Sequence, residues 1–183
     1  MEKTLIENQL VEKSRNGDTQ AFAQLIKLYR RQLVTYLWKL GGSMPEAEDL
    51  FQETLIRVWE GLPVYRHQNK FSSWLFSIAH NVAMDALRKN KARNSLFSRD
   101  DVQPMELNTP HSDYEARELQ GILNDALESL SEKQKRVFLL REHGDMTFKE
   151  ISELTNEPLN TVLGHMHYAV EKLRKKLRIK NVI

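Results

Sequence analysis

The 183-residue chain has no cysteine, only 7 glycines and 5 prolines, and no long hydrophobic run. Without cysteine it cannot form a disulfide framework, a thiol nucleophile, an iron–sulfur cluster or a cysteine-based zinc site. No stretch approaches the roughly 18 consecutive apolar residues of a membrane span, and the opening MEKTLIENQLVEK lacks the basic and apolar regions of a signal peptide. We therefore expect a cytoplasmic protein with no membrane insertion.

Scarce glycine and proline leave long segments in which apolar residues recur every three or four positions, and this period predicts helices. The predicted helices cover residues 18–40, 45–60, 72–91, 114–130, 131–143, 147–154 and 159–177. The segment 92–112 contains two prolines and few periodic apolar residues, which is typical of a linker. We predict an all-α fold of two small domains, residues 1–93 and 117–183, joined by a flexible acidic linker, residues 94–116.

The formal net charge of +2 is unevenly distributed. Residues 1–93 carry 14 Lys+Arg and 10 Asp+Glu, residues 94–116 carry 1 and 5, and residues 117–183 carry 12 and 10. Mildly basic blocks are typical of proteins that contact polyanions, but also of ordinary solvated surfaces. The charge pattern alone leaves both interpretations open.

Local motifs in the second block predict a helix-turn-helix. Ser131 with Gln134 and Thr147 with Glu150 have the spacing of capping boxes, so each pair predicts a helix start. A turn at 156–158 and a long last helix follow, and two helices joined by a tight turn are typical of DNA-binding modules, although a small helical bundle of another function has similar spacing. The last helix would present outward Asn160, Thr161, Gly164, His165 and Tyr168.

The sequence LESLSEKQKRVFLLREHGDMTFKEISELTNEPLNTVLGHMHYAVEKLRKKL resembles the fourth conserved region of bacterial extracytoplasmic-function sigma factors. In that family this region binds the duplex minus-thirty-five promoter element. The resemblance therefore implies a DNA-binding set formed by Lys149, Asn160, Thr161, Gly164, His165, Tyr168 and Arg174.

This segment departs from the family pattern after Thr161 and Val162. The family usually has a basic residue, a serine and an arginine there, and another arginine before the alanine, whereas this chain has Leu163, Gly164, His165 and Tyr168. Fewer guanidinium groups mean fewer guanine contacts, each typically worth about 1–3 kcal/mol, so we expect a different or weaker base preference. The cations expected to contact the DNA backbone are Arg141, Lys149, Arg174, Lys175, Lys176 and Arg178.

In the first block, the helix predicted over residues 45–60 has two distinct faces. At about 100° per residue, one face carries Ala47, Phe51, Leu55 and Val58, and the other carries Asp49, Gln52, Glu53, Ile56 and Glu60. Polar groups around one apolar side chain are typical of a docking surface. The sequence AEDLFQETLIRVWEGL resembles the second conserved region of the same sigma factors, whose helix docks on the coiled coil of the RNA polymerase largest subunit. The resemblance implies that Asp49, Gln52, Glu53 and Arg57 bind the polymerase, and Ile56 joins them as the apolar side chain of the same face.

The helix predicted over residues 72–91 and the loop before it form the next candidate site. Aromatic, amide and basic side chains on one face suit unpaired DNA, because bases stack or are read by amides while cations hold phosphates. Trp74 could instead be a core residue at a helix start. The resemblance assigns this segment to recognition of the minus-ten element, and the implied residues are Tyr65, Arg66, His67, Asn69, Lys70, Trp74, Asn81, Asp85, Arg88 and Lys89.

Both resemblances occur in the family's order, so the leading interpretation is an alternative sigma factor that is not an enzyme. Its implied partners are core RNA polymerase, promoter DNA and an anti-sigma factor, with no small-molecule substrate, cofactor or metal. A stand-alone helix-turn-helix regulator is the alternative, but it leaves the first block unexplained. The chain has no Gly-rich phosphate loop or nucleophile elbow. His165 and His167 lie about 200° apart on a helix, so they cannot share one metal ion.

Overall fold

The computed structural model describes residues 2–41, 43–66, 70–94 and 114–179, and their regular structure is entirely helical. The all-α prediction is confirmed. The helices are α1 (Glu2–Arg15), α2 (Thr19–Gly41), α3 (Met44–Gly61), α4 (Phe71–Asn94), α5 (Tyr114–Glu128), α6 (Glu132–Gly144), α7 (Phe148–Thr155) and α8 (Leu159–Ile179), with a 3-10 turn at Leu62–Val64.

The chain divides into two compact units, Met1–Pro104 and Met105–Ile183. Helices α1 to α4 belong to the first and α5 to α8 to the second. The predicted linker, residues 94–116, lies almost wholly outside the described residues, since α4 ends at Asn94 and α5 begins at Tyr114. Its boundaries and flexibility therefore stay predictions.

Side-chain caps begin two of the helices that the sequence predicts in the first unit, α2 and α3. Asp18 Oδ1 accepts hydrogen bonds from the backbone N–H groups of Gln20 and Ala21, both at 2.9 Å, at the start of α2. The Ser43 side chain accepts from the Glu46 N–H at 3.3 Å and donates to the Glu46 carboxylate at 2.9 Å, before α3. Such caps satisfy backbone donors that have no partner within the helix.

Helix α1 has no counterpart in the sequence prediction. Its apolar residues alternate with charged ones, and only a narrow strip of it is buried, with Val11 and Ser14 inaccessible to solvent while Leu5 and Ile6 are exposed. The Ser14 hydroxyl is satisfied by donating to the Leu10 carbonyl at 2.6 Å. Packing against α2 holds this helix in place, and because so few of its positions are buried, its sequence shows no clear helical period.

The core of the first unit lies between α2, α3 and α4. Large side chains that are fully buried there include Leu33, Phe51, Leu75 and Phe76. A polar pair crosses this core, because the Tyr36 hydroxyl and His80 Nδ1 lie 2.9 Å apart. Burying both partners together avoids the cost of an unpaired polar group.

In the second unit both predicted capping boxes are confirmed. Ser131 and Gln134 bond reciprocally at the start of α6, as do Thr147 and Glu150 at the start of α7. Helices α6 and α7 end on residues in the left-handed conformation, Asp145 (φ 51°) and Asn156 (φ 53°), types that tolerate it. The core of the unit contains Ala126, Leu127, Leu130, Ala169 and Leu173, with Phe138 partly buried against them.

Candidate functional site

The exposed face of α3 has the composition that the sequence predicts. Asp49, Gln52 and Glu53 are exposed, and Ile56 keeps 55% of its surface accessible between them. On the opposite face Ala47, Phe51 and Val58 are buried, whereas Leu55 is half-buried. The helix therefore offers a polar, mainly acidic surface around one apolar side chain, here called the α3 face, defined by Asp49, Gln52, Glu53, Ile56 and Arg57.

A row of ion pairs connects the α3 face to α4. Arg57 Nε donates to Glu53 Oε1 at 2.9 Å, and Arg57 Nη1 lies 3.6 Å from Asp85 Oδ2. The other Asp85 oxygen accepts from Arg88. The hydrogen bond from Arg88 lowers the pKa of Asp85 below its ordinary value, opposed by desolvation and reinforced by the positive charges of Arg88 and Arg57. Asp85 is therefore a stable carboxylate at neutral pH.

Tyr65 differs from the expectation of an exposed base-contacting residue. Only 4% of it is accessible, and its ring centroid lies 4.7 Å from that of Trp74 and 5.8 Å from that of Phe71. Tyr29 joins the same cluster, 5.7 Å from Phe71. The four rings form an aromatic cluster, and Trp74 is half-buried in it. Tyr65 is thus a packing residue of this cluster, because the rings remove its apolar surface from water.

Helix α1 contributes Glu7 to this cluster, a residue that no sequence motif predicts. The Tyr29 hydroxyl donates to Glu7 at 2.5 Å. Burial, together with the Glu7 carboxylate, raises the pKa of Tyr65, while Arg15 lowers it, so Tyr65 is a neutral phenol. Glu7 and Tyr29 are 22 residues apart, and no local motif relates them.

The remaining predicted minus-ten residues lie on the loop and on α4. Arg66 and Lys70 are exposed at the ends of the loop, and His67 and Asn69 lie outside the described residues. On α4, Asn81 and Lys89 are exposed and the Arg88 side chain is 76% accessible. Cationic and amide groups are therefore available on this surface, beside the partly accessible Trp74.

Most predicted DNA-contacting residues of the second unit are exposed. Asn160, Thr161 and Arg174 are open to solvent, and the Lys149 side chain is 82% accessible. Tyr168 is exposed, with its ring 5.6 Å from that of His167. Gly164 is half-buried, but an added Cβ would meet nothing within 4 Å. Helix α8 thus presents an amide at Asn160, a hydroxyl at Thr161 and an aromatic ring at Tyr168.

His165 is less exposed than the prediction assumed. Its side chain is 21% accessible, and its Nε2 lies 3.5 Å from Glu157 Oε2. Glu157 also pairs with Lys133 of α6 at 2.6 Å. His165 therefore packs against the turn between α7 and α8, which explains why it is not fully presented with Asn160 and Thr161.

Arg141 is also engaged within the unit. Its Nη1 donates to the Met146 carbonyl at 2.7 Å, and its guanidinium lies 5.4 Å from the centre of the Phe148 ring. Both contacts hold the connection between α6 and α7. Arg141 therefore holds this turn, and because it is also exposed, its contact with the DNA backbone stays a prediction.

The described residues form neither a metal site nor a membrane span. No three His, Asp or Glu side chains among them converge as metal ligands would. None of the helices described is both long and apolar enough to cross a bilayer.

Two family models match the chain in sequence order. Residues 25–93 match Sigma-70 region 2, and residues 120–173 match Sigma-70, region 4. The first match contains the α3 face, the aromatic cluster and α4, while the second contains the helix-turn-helix. Helix α1 precedes both matched segments.

Relatives extend the similarity over nearly the whole chain. The ECF RNA polymerase sigma factor SigW of Bacillus subtilis is 30% identical over 179 residues, covering 92% of this chain and 95% of the relative. The ECF RNA polymerase sigma-E factor of Haemophilus influenzae is 26% identical, covering 97% and 98%.

Solved structures share the fold at lower identity. CnrH, in complex with the cytosolic domain of CnrY, has a TM-score of 0.66 and 21% identity, covering 95% of this chain and 98% of that one. The sigma factor RpoE of Bartonella quintana, in complex with the anti-sigma factor NepR, has a TM-score of 0.69 and 20% identity, covering 86% and 97%. The chain belongs to the extracytoplasmic-function sigma factors of the sigma-70 family, the alternative subunits that bind core RNA polymerase and direct transcription initiation at promoters.

Proposed function

We propose that three exposed surfaces each bind a different partner during initiation: the α3 face, the exposed side of α4 with the loop before it, and α8. The α3 face is the site that docks on core polymerase. The observation that carries this proposal is the 55% accessible Ile56 within the acidic α3 face. An exposed apolar side chain costs hydration in the free protein, and a partner surface that covers it recovers that cost. The surrounding carboxylates select a basic partner surface and orient it.

The loop before α4 and the exposed side of α4 form the proposed minus-ten site. Arg88 and Lys89 supply charge for the phosphates, and Asn81 supplies an amide for a base edge. Arg66 and Lys70 flank the loop, and in sequence they adjoin Tyr65 and Phe71 of the aromatic cluster. Tyr65 and Trp74 pack in that cluster, so we assign them a supporting role on either side of the loop.

Helix α8 is the proposed reader of the duplex minus-thirty-five element. Asn160 is suited to adenine, whose N6 and N7 an amide can bind together, and Thr161 to a hydrogen bond or a thymine methyl contact. Lys149 and Arg174 would bind phosphates and fix the helix in the groove. Gly164 leaves room for a close approach to the DNA, and Tyr168 lies one turn further along the helix. His165 supports this part of α8 by packing against the turn before it.

We also propose that the protein acts in the cytoplasm with RNA polymerase and has no catalytic activity of its own. CnrH and RpoE, which share its fold, were solved with CnrY and the anti-sigma factor NepR respectively. A comparable inhibitory partner for this chain fits the exposed apolar side chain of the α3 face, because covering it would block polymerase docking.

The docking proposal is tested by competition for core polymerase. The double variant Asp49→Lys with Glu53→Lys reverses the charge of the α3 face and should abolish binding while the circular dichroism stays that of a helical protein. The control is Gln20→Lys with Gln24→Lys, which adds two lysines to exposed positions of α2. The assignment is wrong if the reversed variant competes for core as well as the control does.

A further inference from the structure

Four charges of alternating sign form a continuous row across α3 and α4. Glu53 pairs with Arg57 at 2.9 Å, Arg57 approaches Asp85 at 3.6 Å, and Asp85 pairs with Arg88. The two middle residues use separate atoms for their two neighbours: Arg57 uses Nε and Nη1, and Asp85 uses Oδ2 and Oδ1. One end of the row belongs to the α3 face, and the other lies on the DNA-facing side of α4.

We propose that this row couples the two surfaces, so that engagement of Glu53 by core polymerase makes Arg88 available to a phosphate of the single strand. Arg57 and Asp85 are then positioning residues that act through their neighbours. The inference rests on the proposed function of both surfaces, and it lies within the first unit alone.

The direction of the coupling follows from the alternation of charge. When a cation of the polymerase takes Glu53, Arg57 loses one of its two carboxylate partners and pairs more fully with Asp85. Asp85 is then neutralised from the α3 side and holds Arg88 less strongly. Because Arg88 is the most exposed member of the row, with 76% of its side chain accessible, it can turn to a phosphate without breaking other packing.

Reciprocity gives the same result in the opposite direction. A phosphate that takes Arg88 leaves Asp85 to Arg57, which releases Glu53 for the polymerase. Thermodynamic linkage requires that polymerase binding changes the affinity for single-stranded DNA by the same factor as DNA binding changes the affinity for polymerase. The row also gives Asp85 a different role from direct DNA contact, because a carboxylate repels phosphate, whereas here it accepts a hydrogen bond from Arg88 and lies within ion-pair range of Arg57.

The size of the effect is limited by exposure. All four side chains are at least 40% accessible. Exposed pairs of this kind change an equilibrium by about two- to fivefold. Salt screens them, so the coupling should weaken as ionic strength rises.

The first test uses the full-length chain without polymerase and a short random-sequence single-stranded oligonucleotide as the phosphate probe. Glu53→Gln imitates the engaged state, because it withdraws the carboxylate charge from Arg57. Glu60→Gln, on the same helix and also exposed, removes an equal charge and is the matched control. Glu53→Gln should tighten oligonucleotide binding by about two- to fivefold more than Glu60→Gln does.

Breaking the middle of the row should abolish that difference. In an Asp85→Asn background, and separately in an Arg57→Gln background, Glu53→Gln and Glu60→Gln should have equal effects. If Glu53→Gln and Glu60→Gln change oligonucleotide binding equally in the otherwise unchanged chain, the coupling is overturned. It is also overturned if their difference persists in both the Asp85→Asn and the Arg57→Gln background. A merely structural contribution of these residues would not produce this dependence on the background.

The reciprocal test measures affinity for core polymerase. Arg88→Gln removes the far end of the row and should strengthen core binding by about two- to fivefold relative to Lys89→Gln, its neighbour of equal charge. Equal affinities would contradict the coupling. Charge reversal at Asp49 and Glu53 tests the docking assignment separately, so a failed assignment and a failed coupling give different results.

Discussion

The rings of Tyr65 and Trp74 lie 4.7 Å apart at an interplanar angle of 36°, and this contact joins the loop before α4 to the first turn of that helix. Trp74 in turn packs over Gly61 at the end of α3. Buried aromatic surface thereby holds the chain at Tyr65, before the loop proposed to capture the minus-ten strand, and at Trp74, after it.

Removing the Tyr65 ring should disrupt this support. Tyr65→Ala is expected to lower the free energy of unfolding by about 3–5 kcal/mol, the usual cost of deleting a large buried aromatic side chain. Tyr65→Phe keeps the ring and should cost no more than about 1.5 kcal/mol, the range of a single hydrogen bond. Urea denaturation of the full-length chain measures both, and a similar loss for the two variants would contradict the packing role.

The contact between Gly61 and Trp74 predicts opposite effects of the same substitution at two helical glycines. A Cβ at Gly61 would lie 3.0 Å from Trp74 Cζ2, so Gly61→Ala should destabilise by about 1–3 kcal/mol through overpacking. A Cβ at Gly121 in α5 would meet nothing within 4 Å, so Gly121→Ala should stabilise by about 0.5–1 kcal/mol. Thermal unfolding of the two variants tests this, and equal shifts in Tm would exclude the steric explanation.

The sequence predicted those features that depend on neighbouring residues. The capping boxes at Ser131 and Thr147 need a partner three positions away, and the exposed side of α3 follows from helical period alone. The burial of Tyr65 and His165 does not follow from local pattern, because it depends on the packing of Tyr65 against Trp74 of α4 and of His165 against Glu157 in a turn. Helix α1 itself was missed since its few buried positions leave no clear periodic pattern.

Both capping boxes should contribute measurably to the second unit. Ser131→Ala and Thr147→Ala each remove a side-chain acceptor for a helical N–H and should destabilise by about 1 kcal/mol. Ser131→Asn and Thr147→Asp keep an accepting oxygen and serve as matched controls. Urea denaturation that shows no difference between the alanine variants and these controls would mean that the caps contribute nothing in solution.

Two residues of the proposed minus-thirty-five site should differ in their effect on sequence preference. In holoenzyme binding to duplex promoter DNA, Lys149→Ala should weaken all sequences alike and lower the salt slope by about 0.9, as expected for one phosphate contact. Asn160→Ala should cost about 1–3 kcal/mol at one base pair and little elsewhere. Binding titrations over a set of single-base substitutions separate the two patterns, and a uniform loss with Asn160→Ala would remove it from base recognition.

Run-off transcription from a genomic promoter library, with purified core polymerase, tests the division of labour most directly. The wild-type chain should give promoter-specific transcripts that core polymerase alone does not produce. The Asp49→Lys/Glu53→Lys variant should give none, although it keeps its helical structure and its second unit. Undiminished transcripts from that variant, or duplex binding by the wild-type chain without any initiation, would contradict the account.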